Sequence, residues 1–113
     1  MKIKGLFLFL VVFLLVSCDN KPPKAAPTVL LSEAQMIDVM TDVQIMEGII
    51  NYKKNVNQKT AYIKTVGYDT LFAHHGITDS IFKLNLDYYS IAEPQALVRI
   101  VDSVSTRLAR MKN

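Results

Sequence analysis

The stretch PQALVRIVDSVSTRLARM, Pro94–Met111, decides the fold. Leu97, Val101, Val104, Leu108 and Met111 recur in it at spacings of four, three, four and three, which lines them up along one side of an α-helix. Pro94 suits the first turn, where a missing N–H costs no hydrogen bond. Arg99, Asp102, Arg107 and Arg110 take other faces, and the cations gather toward the C-terminal half, as the helix dipole favours. A helix so patterned has to bury its apolar stripe against something.

Upstream lie three more segments of the same kind. Thr78 caps a helix that has Asp79 in its first turn and runs through DSIFKLNLDYYS, with Ile81, Phe82, Asn85 and Tyr89 on one face. Before it, residues 59–75 place Tyr62, Ile63, Val66, Leu71 and Phe72 at helical spacing. Gly67 weakens the middle of that segment by about 1 kcal/mol, and Gly76 suits a left-handed stop. Ser32 and Gln35 form a capping box with Glu33 in the first turn, opening a helix over residues 33–53. Its stripe is Met36, Ile37, Met40, Val43, Met46, Ile49 and Ile50. The fold class is therefore all-α, a small bundle of about four helices over residues 29–113, without a sheet. Its roughly 85 residues approach the lower size at which one core suffices.

The N-terminus has a different composition. Lys2 and Lys4 precede GLFLFLVVFLLV, Gly5–Val16, an apolar run of 12 residues where crossing a bilayer takes about 20. A basic start, a short apolar core and a small residue before the break are the parts of a secretory signal peptide, residues 1–17. The run ends Leu15-Val16-Ser17-Cys18, which resembles the lipobox of bacterial lipoproteins. That resemblance implies diacylglycerol on the Cys18 thiol, cleavage before Cys18 and acylation of the freed amine, with palmitate among the fatty acids expected. It also accounts for a lone cysteine in an exported chain, since the thiol would be consumed as a thioether. One acyl chain holds only marginally, and two or three hold essentially permanently. Residues 18–28 contain Pro22, Pro23 and Pro27 and read as a tether.

Removing Lys2 and Lys4 from the 13 basic residues leaves 11 against 10 acidic ones, so the mature chain is nearly neutral. No basic run with interleaved aromatics is present, which excludes a nucleic-acid partner.

Two blocks, LLSEAQMIDVMTDVQIMEG and YDTLFAHHGITDSIFKLNLDYYSIAEPQALVRIVDSV, resemble a family of small Bacteroidota lipoproteins known as a domain of unknown function. The matching residues are Met36-Ile37-Asp38 with Thr41-Asp42, then Tyr68, Phe72, His75, Gly76 and Ile77, then Phe82, Tyr88, Tyr89 and Pro94. The resemblance implies an envelope lipoprotein and brings no activity, substrate or cofactor. Some Bacteroidota lipoproteins carry an acidic cluster after the cysteine that sends them to the cell surface. Asp19-Asn20-Lys21 lacks it, which favours the periplasmic face of the outer membrane.

Six residues in the helical segments are candidates for a binding site: Asp38, Asp42, Glu47, His75, Tyr88 and Tyr89. Asp38 and Asp42 stand four apart on one helix face with Glu47 beyond, a spacing that can hold a cation or a shared proton. Solvated carboxylates on a helix more often do neither. His74 and His75 are adjacent, so their rings point about 100° apart on a helix, whereas metal pairs use i,i+3 or i,i+4. A helix-end position in which histidine faces the last carbonyls fits them better. Met36, Met40 and Met46 could offer thioethers to copper, but at helical spacing they read as core. Tyr88-Tyr89 puts one ring inward and the other toward the rim, where tyrosine serves interfaces.

No Gly-x-Ser-x-Gly surrounds any serine and no glycine-rich phosphate loop is present, so neither an enzyme nor a cofactor is expected. The expected role is binding another envelope protein, and that requires an apolar groove on the folded domain. The alternatives are a small-molecule or metal-dependent activity of Asp42, Glu47, His74 and His75, and a homo-oligomer joined through the Leu97–Met111 stripe.

Overall fold

A computed structural model describes residues 25–112. The segment expected to be a signal peptide, Cys18 and most of the expected tether lie outside the described residues. Within them the chain is all-α, with four helices and no strand. We label them α1 (Glu33–Asn55), α2 (Tyr68–His74, entered through a π-helical turn, Ile63–Gly67), α3 (Asp79–Ala92) and α4 (Pro94–Met111).

The boundaries have local chemical causes. Ser32 accepts the Gln35 N–H at 3.1 Å while Gln35 reaches back to the Ser32 N–H at 2.9 Å, completing the capping box. Thr78 accepts the Ile81 N–H at 3.2 Å and opens α3, and Pro94 occupies the first turn of α4. α2 ends at His74, and Gly76 just beyond it has a φ of 71°, the left-handed geometry that glycine adopts without steric cost.

Ion pairs and one hydroxyl–carboxylate hydrogen bond mark the helix directions. Glu33 pairs with Arg99 and Asp38 with Arg107, so α1 and α4 run parallel. Asp42 pairs with His75 and Glu47 with Tyr68, so α2 runs antiparallel to α1. α3 continues that descent, and Tyr89 near its end meets Leu31, just before α1 begins. α2 and α3 together thus run back along the length of α1, and α4 returns beside its first half.

The core joins all four helices through residues such as Met36, Val39, Phe72, Phe82, Ile100 and Val104. Phe72 and Phe82 stack with ring centroids 5.3 Å apart and lock α2 to α3. Met36 is fully buried, with Met40 and Met46 packed against the core, so the methionines of α1 act as core residues. The α4 stripe is rotated from the expected one. Ala96, Ile100 and Val104 form the buried line, while Val101 and Met111 are 46% and 59% exposed. In α1, Val39 and Thr41 are buried and Ile49 is exposed, again a shift of the expected face. Thr41 tolerates burial because its hydroxyl donates to the Ile37 carbonyl at 2.7 Å.

An extended strap precedes α1. Asn85, fully buried in α3, accepts the Leu31 N–H and donates to the Val29 carbonyl, each at 2.8 Å, and donates to the Ile81 carbonyl at 2.9 Å. The Tyr89 hydroxyl donates to the Leu31 carbonyl at 2.7 Å. Both backbone groups of the buried Leu31 are therefore satisfied by side chains of α3.

Candidate functional site

Every acidic residue of α1 is tied to another element. Glu33 takes a two-pronged contact from Arg99 at 3.1 and 3.3 Å, and Asp38 holds Arg107. Asp42 Oδ2 lies 2.6 Å from His75 Nε2, where the ring N–H is the donor a carboxylate requires. Glu47 accepts the Tyr68 hydroxyl. Three of the sequence candidates, Asp38, Asp42 and Glu47, thus take part in a row of ties along α1. His75 joins that row from the end of α2, in the expected helix-end position but with a carboxylate partner from α1. Asp79, the other acid near His75 in sequence, pairs with Lys83 at 3.1 Å.

Asp38, Asp42, His74, His75, Arg107 and Met111 surround a polar cleft of about 380 Å³. Among the described residues no three His, Cys, Asp or Glu side chains converge on a point that would hold a metal ion. Glu47 sits with Tyr68, apart from the histidines, and does not line this cleft. The His74 and His75 rings meet edge to face at 5.4 Å, as adjacent residues at a helix end allow. Tyr89 is used up on Leu31, and Tyr88 leans edge-on against it with centroids 5.5 Å apart, half-buried.

Beyond Asp42 the surroundings of α1 change. α4 packs on α1 and α3 but not on α2 or the π-helical turn. Its end, at Met111, stands beside Asp42. The remaining half of α1 therefore faces only the π turn and α2, and a groove of about 560 Å³ opens between them. Met46, Ile63, Gly67 and Leu71 lie low in it. Ile45, Ile49, Tyr62 and Val66 edge it and are 38%, 43%, 76% and 40% exposed. Asp42 and His74 close one end.

Gly67 brings the walls together. A methyl group there would come within 3.3 Å of both Met46 Cε and Ile63 Cγ2. The extra residue of the π turn displaces the face of the following helix, and such turns recur at functional sites. Sequence spacing had placed Tyr62 and Val66 in the core, and the only sign of the π turn was Gly67 itself. Another apolar surface, a hollow of about 390 Å³, lies on α4 around Leu97, Val98 and Val101.

The fold defines a small all-α domain with an apolar groove above a tied polar layer. Residues 27–113 match the model of the family described as Domain of unknown function (DUF4296), and the chain belongs to that family. No curated protein and no solved structure matches it.

Proposed function

We propose that the chain is a lipoprotein of the bacterial envelope, of the kind found in Bacteroidota, anchored through acylated Cys18 and acting without catalysis by holding another envelope protein. The groove between α1 and the π turn carries this reading. Soluble domains seldom leave several large apolar side chains exposed side by side unless something covers them. The walls are helical and run side by side, and the α1 wall from Asp42 to Ile49 runs about 10 Å. That shape suits the apolar side of a single partner helix with anchors at i, i+3 or i+4, and i+7.

The anchor rests on Leu15-Val16-Ser17-Cys18 and on the short apolar run before it. The ten residues Asp19–Thr28 reach up to about 35 Å when extended, so the domain works close to a membrane. We place it on the periplasmic face of the outer membrane, because no acidic cluster follows Cys18. Mass spectrometry of the native protein tests the anchor: an acylated N-terminal Cys18 is expected, and an unmodified terminus upstream of it would end this reading.

The groove is tested with a photo-crosslinking residue at Val66, on the wall opposite Ile49. A defined cross-link in the native envelope should be lost on Ile49→Asp, a change at an exposed position that leaves the core intact. Equal capture from a control probe at Val98 on α4, or capture insensitive to Ile49→Asp, would refute it.

A further inference from the structure

The charges of the domain are segregated along α1. Ties engage all four of its acids, Glu33 to Glu47, while Gly48–Tyr68 contains four lysines, three tyrosines and no acidic residue. This second stretch includes the turn between α1 and the π-helical segment, at the tip of the helical hairpin. None of Lys53, Lys54, Lys59 and Lys64 makes an ion pair among the described residues. Between them stand Tyr52, Val56 and Tyr62, which are 66%, 45% and 76% exposed. Tyr52 on α1 and Val56 just past its end are four apart and continue the exposed line begun by Ile45 and Ile49.

Lys54 and Lys64 come together across the hairpin. The Lys64 ammonium is held below the ordinary lysine range, first by its hydrogen-bonding contact with Lys54 and then by the charge of Lys54, with Glu47 pulling the other way. An anion placed between the two would relieve that repulsion. Exposed tyrosines and an aliphatic side chain ringed by lysines, on a stretch of sequence that itself carries no carboxylate, are the chemistry of a surface that settles into the headgroup layer of an anionic bilayer. No described helix is long and apolar enough to cross a membrane, so such a contact is peripheral.

We propose that the hairpin tip, through Lys53, Lys54, Lys59 and Lys64 around Tyr52, Val56 and Tyr62, is a second membrane contact that docks on anionic phospholipid headgroups. It goes beyond the partner-binding groove and lies farther along α1 and in the turn, sharing only Tyr62 with the groove's edge. Geometry adds a consequence. The tip lies about 33 Å along α1 from the strap where the tether enters, close to the full reach of the tether. A domain anchored at Cys18 can therefore set its tip on the same bilayer with α1 either flat on the surface or upright.

The test uses the full chain reconstituted in vesicles, with a fluorophore on Gln58→Cys in the turn and the wild-type chain labelled alike as background for Cys18. Quenching by lipids bearing a nitroxide at the headgroup is read in phosphatidylcholine, with and without phosphatidylglycerol. Quenching should require phosphatidylglycerol and fall in high salt. The docked-to-undocked ratio should drop about fivefold for each lysine neutralised, hence about 25-fold in Lys54→Gln/Lys64→Gln.

Equal quenching with and without phosphatidylglycerol would overturn the proposal, as would indifference to the double substitution. Protection of the probe by polyglutamate with no response to phosphatidylglycerol would also overturn it, assigning the tip to an acidic protein. Flotation of the chain with the vesicles reports the N-terminal anchor separately, so a failed tip and a failed anchor give different results.

Discussion

Asn85→Ala removes the side chain that holds the strap to α3, and its cost follows from three hydrogen bonds. The bond to the Ile81 carbonyl is the least important, because that carbonyl already serves the helix. The Val29 carbonyl can turn to water, since Val29 is 47% exposed. Leu31 cannot, because at 4% exposure its N–H loses its only acceptor inside the core. An orphaned buried N–H costs about 1–3 kcal/mol, and the bond lost at Val29 about 1 kcal/mol more, with the Ile81 bond contributing little. The sum is about 2–4 kcal/mol, or roughly 10–25 °C of melting temperature in a domain this size.

Tyr89→Phe strips the other half of Leu31, leaving its carbonyl unpaired, for about 1–2 kcal/mol. Both residues hold one backbone unit, so the strap detaches once and not twice. The double variant should therefore be less destabilised than the two single changes added together, by at least about 0.5 kcal/mol. Denaturant unfolding followed by circular dichroism measures all four corners of this cycle. Additive effects, or an Asn85→Ala variant within about 1 kcal/mol of wild type, would show that the strap is not held by these side chains.

Other consequences are simpler to read. Burial, then the nearby Glu33, raises the pKa of Tyr89 above the usual tyrosine value of 10.0. The folded state thus keeps this proton longer than the unfolded one. The contribution of Tyr89 to stability is full below about pH 10 and declines as pH rises toward the folded value. Stability measured by unfolding from about pH 9 to pH 11 should fall more steeply in wild type than in Tyr89→Phe. At Gly76 nothing lies within 4 Å of an added Cβ, so Gly76→Ala should cost only the left-handed strain, about 1–2 kcal/mol in thermal unfolding. Gly67 has helical φ, and the atoms crowding it include the flexible end of Met46. Gly67→Ala should therefore be neutral or stabilising by up to about 1 kcal/mol in the same assay while narrowing the groove. A loss greater than that would mean the Met46 side chain cannot yield.

The helices were legible because their ends are written in local chemistry. Ser32 with Gln35, Thr78, Pro94 and Gly76 each act within a few residues of themselves, and each does so as spacing suggested. Which face a helix buries was less legible where its apolar arc is wide. In α4 two stripes compete, Leu97–Val101–Val104–Leu108 and Ala96–Ile100–Val104, and the neighbours α1 and α3 select the second. The strap was not legible at all. Nothing around Val29–Leu31 signals that Asn85, more than fifty positions away, takes its backbone bonds.

The candidate site divides along the same line. The acids of α1 and His75 could be picked out from their types and spacing, but their partners lie 21 to 69 positions distant and only the packed bundle brings them together. Arg107 had been set on an outer face of α4, and it is there that it meets Asp38. The groove arises from a mismatch of lengths that no single segment contains. α1 has 23 residues and α4 has 18, so at 1.5 Å per residue they differ by about 7 Å. α4 also ends beside Asp42, leaving the rest of α1 without a helix on that side. Where α4 is present, the acids of α1 find arginines and the apolar side chains find a core. Where it is absent, lysines stand unpaired and Ile45, Ile49, Tyr52 and Val56 meet solvent. The tied half and the open half are one helix seen with and without its neighbour, which is why the surfaces proposed for a partner and for a membrane both fall on the same end of the molecule.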